Sequence, residues 1–168
     1  MGPLRGERVT LRLLTEDDRA EIRRILDDPT VARWWGPGSV ETRLDEWFDD
    51  DATVRYAIEL DDRVVGTVQF HEENEPDYRH AGLDIFLDAE HQGKGLGSDA
   101  LRTLARYLFE VRGHHRLTID PSAANERAIR AYRRIGFRSI GVMRRYERGA
   151  DGTFHDGLLM DLLEDDLT

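Results

Sequence analysis

No cysteine occurs among the 168 residues. Disulfides, zinc–thiolate sites and a thiolate nucleophile are excluded with it. Long apolar runs are missing too: none approaches the roughly 20 residues that a membrane-spanning helix needs. The opening residues, Met1-Gly2-Pro3-Leu4-Arg5-Gly6-Glu7-Arg8, lack the apolar centre of a signal peptide. A cytoplasmic protein without membrane association is therefore expected. Positive charge is in deficit. The formal net charge is −10, and no basic face of the kind that binds nucleic acid is visible. Repeats, low-complexity tracts and Pro/Gly/Ser linkers are absent as well, which predicts a single domain over residues 1–168. The histidines His71, His80, His91, His114, His115 and His155 show no metal-ligand spacing, so no metal is expected. The His114-His115 pair reads as part of an exposed turn.

Hydrophobic residues make up 39% of the chain and charged residues 35%. This is the composition of a globular protein with a charged surface. The acid is clustered. Glu41, Asp45, Glu46, Asp49, Asp50 and Asp51 form one group, and Glu72, Glu73, Glu75 and Asp77 another. Such groups are either solvated surface or the wall of a cleft that attracts a polycation; composition does not choose between them.

Hydrophobic periodicity predicts the order β-α-α-β-β-β-α-β-α-β-β. Val9 to Leu13 alternates as a half-buried strand does. Thr15-Glu16-Asp17-Asp18 reads as a capping box with Asp in place of Glu. It opens a helix carrying Ile22, Ile25 and Leu26, with Pro29 just past the end. A second helix is expected from Val40 to Phe48, with Leu44, Trp47 and Phe48 inward. Val54–Leu60 and Val64–Phe70 are strand-like and joined at Asp61-Asp62, which predicts a tight hairpin. Ala81–Leu87 is a third strand. A glycine-rich turn and a helix to about Arg112 follow, with Leu101, Leu104, Ala105, Leu108 and Phe109 on one face. Arg116–Asp120 is a short strand broken by Pro121. The last helix, Asn125 to Ile135, ends at Gly136. Phe137–Arg144 and Phe154–Leu162 read as a closing hairpin. The fold class is α/β, built around a mixed sheet.

The turn Gln92-Gly93-Lys94-Gly95-Leu96-Gly97 is the most informative segment. Three glycines in five residues cost backbone entropy, and the compensation is close backbone approach. Successive N–H groups at the start of a helix make an anion site, typically for phosphate. The P-loop spacing is absent and so is the G-x-G-x-x-G dinucleotide fingerprint. A purely structural turn is the other reading.

This turn resembles the Q/R-x-x-G-x-G/A signature of the GCN5-related N-acetyltransferases. Asn125-Glu126-Arg127-Ala128-Ile129-Arg130-Ala131-Tyr132-Arg133-Arg134-Ile135-Gly136-Phe137 is similar to a second signature of that family, N-x-x-A-x-x-x-Y-x-x-x-G-F. Both signatures, separated by one short strand, make a specific pair. A narrower resemblance, to the aminoglycoside 6′-N-acetyltransferases, rests on Trp34-Trp35-Gly36, Gly82 to Leu87, the glycine turn, and Asp120-Pro121-Ser122-Ala123-Ala124-Asn125. Tyr146 to Leu163, with Phe154-His155-Asp156-Gly157, resembles the ribosomal-protein N-terminal acetyltransferases instead.

The resemblance implies the GNAT fold, a mixed central sheet with a splayed strand pair flanked by helices. It implies acetyl-CoA as the acyl donor, coenzyme A as product, and a small cationic amine as acceptor, the aminoglycoside 6′-amine first. The alternatives are a protein N-terminus or a polyamine, or a non-catalytic acyl-CoA sensor. Many relatives form dimers, so a homodimer is expected by resemblance.

Gln92, Gly93, Lys94, Gly95, Leu96, Gly97 and Ser98 are implied to hold the pyrophosphate. Phe86 and Leu87, and Asn125, Ala128 and Tyr132, are implied to line the pantetheine arm. Acetyl transfer needs a neutral amine and a protonated leaving thiol. Asp84, an acid inside the apolar run Leu83–Leu87, would be costly if buried without a partner. It is either a paired structural residue or the group that binds the ammonium and takes its proton. Tyr132 either donates a proton to the thiolate or only packs. Trp34 and Trp35 are candidate walls for the acceptor. Asp120, and more weakly Asp156, are candidate cation partners.

Overall fold

In the computed structural model, residues 2–168 are described. One eight-stranded mixed sheet runs through the molecule in the order β1-β2-β3-β4-β5-β6-β8-β7. The strands are β1 (Leu4–Arg5), β2 (Thr10–Leu13), β3 (Thr53–Leu60), β4 (Arg63–Glu73), β5 (His80–Leu87), β6 (Arg116–Ile119), β7 (Arg138–Arg148) and β8 (Phe154–Leu163). The helices are α1 (Arg19–Leu26), α2 (Pro29–Ala32), α3 (Val40–Asp49), α4 (Leu96–Glu110) and α5 (Glu126–Ile135). Neighbouring strands are antiparallel except β5 and β6, which pair in parallel across the α4 crossover.

The expected order holds, with two additions. The two-residue β1 lies beyond the first expected strand, too short to leave a periodic signal. Pro29 does more than follow α1. With Asp28 as N-cap, accepting from the Thr30 N–H at 2.9 Å, it starts the one-turn helix α2, where its fixed φ and missing N–H are no handicap. The Asp61-Asp62 hairpin is as expected: both residues take positive φ, 51° and 63°, as a two-residue type I′ turn requires. At the start of α1 the Asp18 carboxylate accepts from the Thr15 N–H at 2.9 Å and receives both Arg12 N–H groups at 2.8 Å.

Two hydrophobic clusters form. The larger joins β2–β6 and β8 to α4 and α5 through residues such as Tyr56, Phe70, Leu83, Leu104, Ile135 and Met160. A fully buried leucine such as Leu104 contributes about 2–3 kcal/mol by leaving water. The smaller gathers Ile22, Ile25, Leu26, Val31 and Leu44 around Phe86, with Trp35 and Trp47 packed against it. Leu44 is fully buried as expected, whereas Trp47 and Phe48 are half-buried. Asp99 ties the N-terminal segment to α4, accepting from the backbone N–H groups of Glu7, Arg8 and Val9 at 3.0, 2.8 and 3.0 Å.

The expected exposed turn at His114-His115 is half right. His115 is exposed, but His114 is buried, with its Nε2 2.6 Å from Glu72. Glu72 also bonds Arg112. A charged partner made burial of the ring tolerable, and nothing local in the sequence announces a partner 42 residues away.

Candidate active site

The site originates where the sheet comes apart. β5 and β6 pair only from Ala81↔Leu117 to Leu83↔Ile119. Beyond that point β6 ends, and its continuation stays with β8: Leu158 N–H donates to Pro121 C=O at 2.9 Å and Ala123 N–H to Asp156 C=O at 2.8 Å. Proline cannot donate to a β5 partner, and Ser122 bridges Gly157 instead. Asp84–Leu87 of β5 therefore presents an unpaired edge, the splayed pair that the resemblance implies.

Two cavities meet at this gap. One, of about 690 Å³, is lined by Phe86 and Leu87, by Gln92, Gly93, Gly95, Gly97 and Ser98, and by Asn125, Ala128 and Tyr132. The other, of about 790 Å³, is lined by Asp84, Asp120, Tyr146 and Glu147 among others. Trp34, Trp35, Ile85, Asn125 and Tyr132 line both.

The first cavity has the features of a diphosphate and pantetheine groove. Gly93 and Gly95 adopt φ +74° and +81°, a left-handed conformation costly for any residue with a Cβ. Gly95 is the N-cap of α4, so the first N–H groups of a 15-residue helix face the loop. A Cβ on Gly97 would stand 3.2 Å from Leu87 Cδ1, so its absence lets α4 sit tightly against β5. Arg8 braces the loop from behind, donating to Lys94 C=O at 2.6 Å. Gln92 donates to Leu87 C=O at 3.0 Å and accepts from Arg127 at 3.3 Å. Lys94 is exposed and Leu96 buried in the core. Neither lines the groove. Asn125 caps α5, its Oδ1 accepting from Ala128 N–H at 3.3 Å. The observed cradle, left-handed glycines before a helix start and a free strand edge beside them, fits acetyl-CoA.

In the second cavity Asp84 occupies the floor. Its register partner on β4 is Gln69, whose Nε2 donates to Asp84 Oδ2 at 3.3 Å. Gln69 accepts in turn from Arg55 Nε at 2.9 Å, and Arg55 pairs with Asp50 at 3.1 Å. A polar ladder across β3, β4 and β5 thus orients the carboxylate. Burial is the chief cause that lifts the Asp84 carboxyl to about 7; the charges of Asp120 and Glu147 add to it, and the Gln69 hydrogen bond and Arg55 oppose it. Burial first, then Asp84 and Asp120, also drive the Tyr132 hydroxyl well above its ordinary range, so it keeps its proton. Glu147 is raised by burial and by Asp120. Asp120 accepts from Tyr146 Oη at 2.6 Å.

Trp35 stands half-buried in edge contact with Phe86, 5.0 Å between ring centres, and with Trp47 at 5.6 Å. It belongs to the smaller core and to the cavity wall at once. Trp34 carries the Arg33 guanidinium 4.4 Å above its ring.

Four residues here escaped the sequence reading: Arg55, Gln69, Tyr146 and Glu147. The signal for Gln69 was an amide that, with Thr67, interrupts the otherwise apolar run 64–70, but its meaning depends on register. Tyr146 and Glu147 lie beyond the expected end of the penultimate strand. Asp156 is outside the acceptor cavity; it lines a smaller adjoining one of about 280 Å³ and accepts from Arg145 N–H at 2.8 Å. The two acidic runs do not line the cleft. Glu41 and Asp45 pair with Arg23 and Arg19 at the surface, as the surface reading expects. Asp50 instead pairs with the largely buried Arg55, and Glu72 is itself largely buried between Arg112 and His114.

Residues 8–138 match the model of the acetyltransferase (GNAT) domain. The chain belongs to the GNAT acetyltransferase family. It is an acetyl-CoA-dependent N-acetyltransferase. The chain is 31% identical over 158 residues to an aminoglycoside N(6′)-acetyltransferase type 1 from Klebsiella pneumoniae, covering 82% of this chain and 78% of that one. It is 28% identical over 162 residues to a spermidine N(1)-acetyltransferase from Escherichia coli K12, covering 93% and 86%. Among solved structures it is similar to a spermidine N-acetyltransferase from Vibrio cholerae in complex with CoA and spermine. The TM-score is 0.81 and the identity 25%, over 95% of this chain and 97% of that one. In this GNAT enzyme no helix among the described residues is long and apolar enough to cross a membrane.

Proposed function

We propose that this GNAT enzyme acetylates a primary amine of a small polycationic acceptor by direct transfer in a ternary complex. The 6′-amine of an aminoglycoside is the first candidate, which would make the activity one of antibiotic resistance. The carrying observation is the juxtaposition of two cavities at Tyr132, with Asp84 on the floor of one and the glycine cradle in the other. Bound acetyl-CoA supplies an acetyl thioester to the shared gap. Gly93, Gly95, Gly97 and Ser98 hold its diphosphate through backbone N–H groups, and the free edge Asp84–Leu87, with Asn125 and Ala128, aligns the arm.

An acceptor amine of pKa about 8 to 10 enters mostly as an ammonium. Asp120 and Glu147 attract it, and Trp34 and Trp35 wall it. Asp84 then takes a proton from the nitrogen. A carboxyl titrating near 7 is matched to that task at neutral pH, since it is partly ionised and yet basic enough to accept. Tyr132 keeps its phenolic proton available for the sulfur that leaves. Several carboxylates about one cleft favour an acceptor with more than one positive charge.

A polyamine is the second reading, supported by the spermidine acetyltransferase relative, which spans more of this chain than the aminoglycoside one. Acetylation of a protein N-terminus and a sensor without turnover are the remaining outcomes. The test is acetyl-CoA consumption with kanamycin, spermidine and an alanine-initiated peptide in parallel. Turnover of the peptide alone would refute the polycation reading. Tight acetyl-CoA binding with no turnover on any amine would refute catalysis.

A further inference from the structure

Tyr146 lies on β7, the outer edge strand, whose residues are almost all exposed. Its hydroxyl nevertheless reaches the acceptor cavity. The reason is a local irregularity. Pairing between β7 and β8 slips between Met143 and Glu147, and Arg145 inside the slip has φ +46°. A bulky residue with positive φ is a conformational outlier that its surroundings must hold. The hold is visible: Asp156 Oδ1 accepts the Arg145 N–H at 2.8 Å. Bulges of this kind re-aim side chains. Here the slip aims Tyr146 at Asp120, its Oη donating to the carboxylate at 2.6 Å. Room for the ring comes from Gly157, where a Cβ would fall 2.8 Å from Tyr146 Cδ2.

Asp120 needs such a hold. It follows the last residue of β6, precedes Pro121 and sits where the sheet has opened, so no β5 ladder restrains it. A phenol donating to a carboxylate makes a short charge-assisted bond that fixes the direction of the carboxylate. We propose that Tyr146 is a positioning residue for acceptor binding: the Asp156-anchored bulge at Arg145 turns its hydroxyl onto Asp120 and holds that carboxylate facing the ammonium opposite Asp84. This inference rests on the acceptor reading above for its consequence, but not for its geometry.

The test uses the full chain and the variant Tyr146→Phe. The residue is 48% exposed, so the lost hydroxyl leaves no buried void. Two readouts separate the two layers. The first is the titration midpoint of the Asp84 carboxyl, followed by carbon NMR. Asp84 is faced by Gln69 and Arg55 across β4 and β3, by Tyr132 of α5, by Asp120, and by Tyr146 and Glu147 of β7, in a cavity that His71, His80, Arg116 and Arg148 also line. Of these only Asp120 loses its restraint in the variant. With Asp120 free to swing outward, Asp84 feels less negative charge, and its midpoint falls by about half a pH unit. The second readout is steady-state kinetics with spermidine and kanamycin. The acceptor KM rises about tenfold, with kcat and the acetyl-CoA KM within twofold, as expected for a lost ground-state restraint.

Gly157→Ala, which keeps the phenol but displaces its ring, gives the same split. An Asp84 midpoint unmoved in both variants overturns the proposal, as does an unchanged acceptor KM in an enzyme that turns over either amine. A shifted midpoint in an enzyme that acetylates neither amine upholds the positioning and refutes the acceptor reading instead.

Discussion

Replacing Asp84 by asparagine should stabilise this enzyme while disabling it, and the stabilisation should depend on pH. The ordinary Asp value is 3.8, and the cleft raises it to about 7, chiefly through burial. Below about pH 4 the carboxyl is protonated in both folded and unfolded chains and costs nothing. Between about 4 and 7 the unfolded chain releases the proton and the folded one retains it, so stability falls as pH rises. Above 7 the full penalty persists. At ~1.4 kcal/mol per pH unit the upper bound is about 4 kcal/mol, and water in the open cleft screens it to about 2 kcal/mol. For a chain of this size that amounts to about 4–8 °C in Tm. Asp84→Asn removes the charge and preserves an acceptor oxygen for Gln69. Thermal unfolding should therefore coincide with the wild type near pH 4 and lie several degrees above it at pH 8. In parallel, kcat should drop by about 10²–10⁴-fold, the usual worth of a general base, at unchanged affinity for acetyl-CoA. A Tm difference that is flat with pH would refute the assignment of a buried, strained charge. Wild-type turnover would remove Asp84 from the chemistry.

The remaining predictions concern its neighbours. In the wild type, kcat/KM should rise with pH through an apparent value near 7, and the limb in kcat should lie lower, because a bound ammonium favours ionised Asp84. Gln69→Leu removes a donor that lowers the Asp84 value, so the same limb should move to higher pH in a rate profile; an unmoved limb would show that the ladder through Gln69 does not tune the base. Tyr132→Phe should lower kcat by about 10²-fold with the acetyl-CoA Kd, read by calorimetry, within twofold; a Kd change without a kcat change would make Tyr132 a packing residue only. Gly95→Val forces a β-branched residue to φ +81° and should weaken acetyl-CoA binding at least tenfold; wild-type affinity would mean that the phosphates bind elsewhere.

Legibility in the sequence followed locality. The glycine turn could be placed because closely spaced glycines precede a helical period, and its position at a helix start is as expected; the left-handed φ of Gly93 and Gly95 is what the structure adds. The Asp61-Asp62 hairpin is likewise local chemistry. Asp84 stood out because an acid inside an apolar strand is costly wherever it goes. The misjudged and missed residues share the opposite property. His114 looked exposed because its partner Glu72 sits on another strand. Tyr146 and Glu147 lay past the apparent end of β7 because an irregular, exposed edge strand leaves no period-2 pattern.

From sequence alone come the α/β order, the glycine turn ahead of α4, and the apolar faces of α1 and α4. All of these depend on residues within a few positions of one another, where spacing dictates geometry. Asp84 and Asp120 were candidates for the acceptor site already, but that they share one cleft with Glu147 was decided by tertiary structure. Asp84, Asp120 and Glu147 are separated along the chain and meet because β5–β6 pairing ends at Leu83↔Ile119 and the chain then follows β8, while β7 slips in register between Met143 and Glu147 beside the cleft. Register and strand departure depend on pairing between distant segments, and the electrostatic coupling that sets the Asp84 proton affinity exists only once that pairing is made.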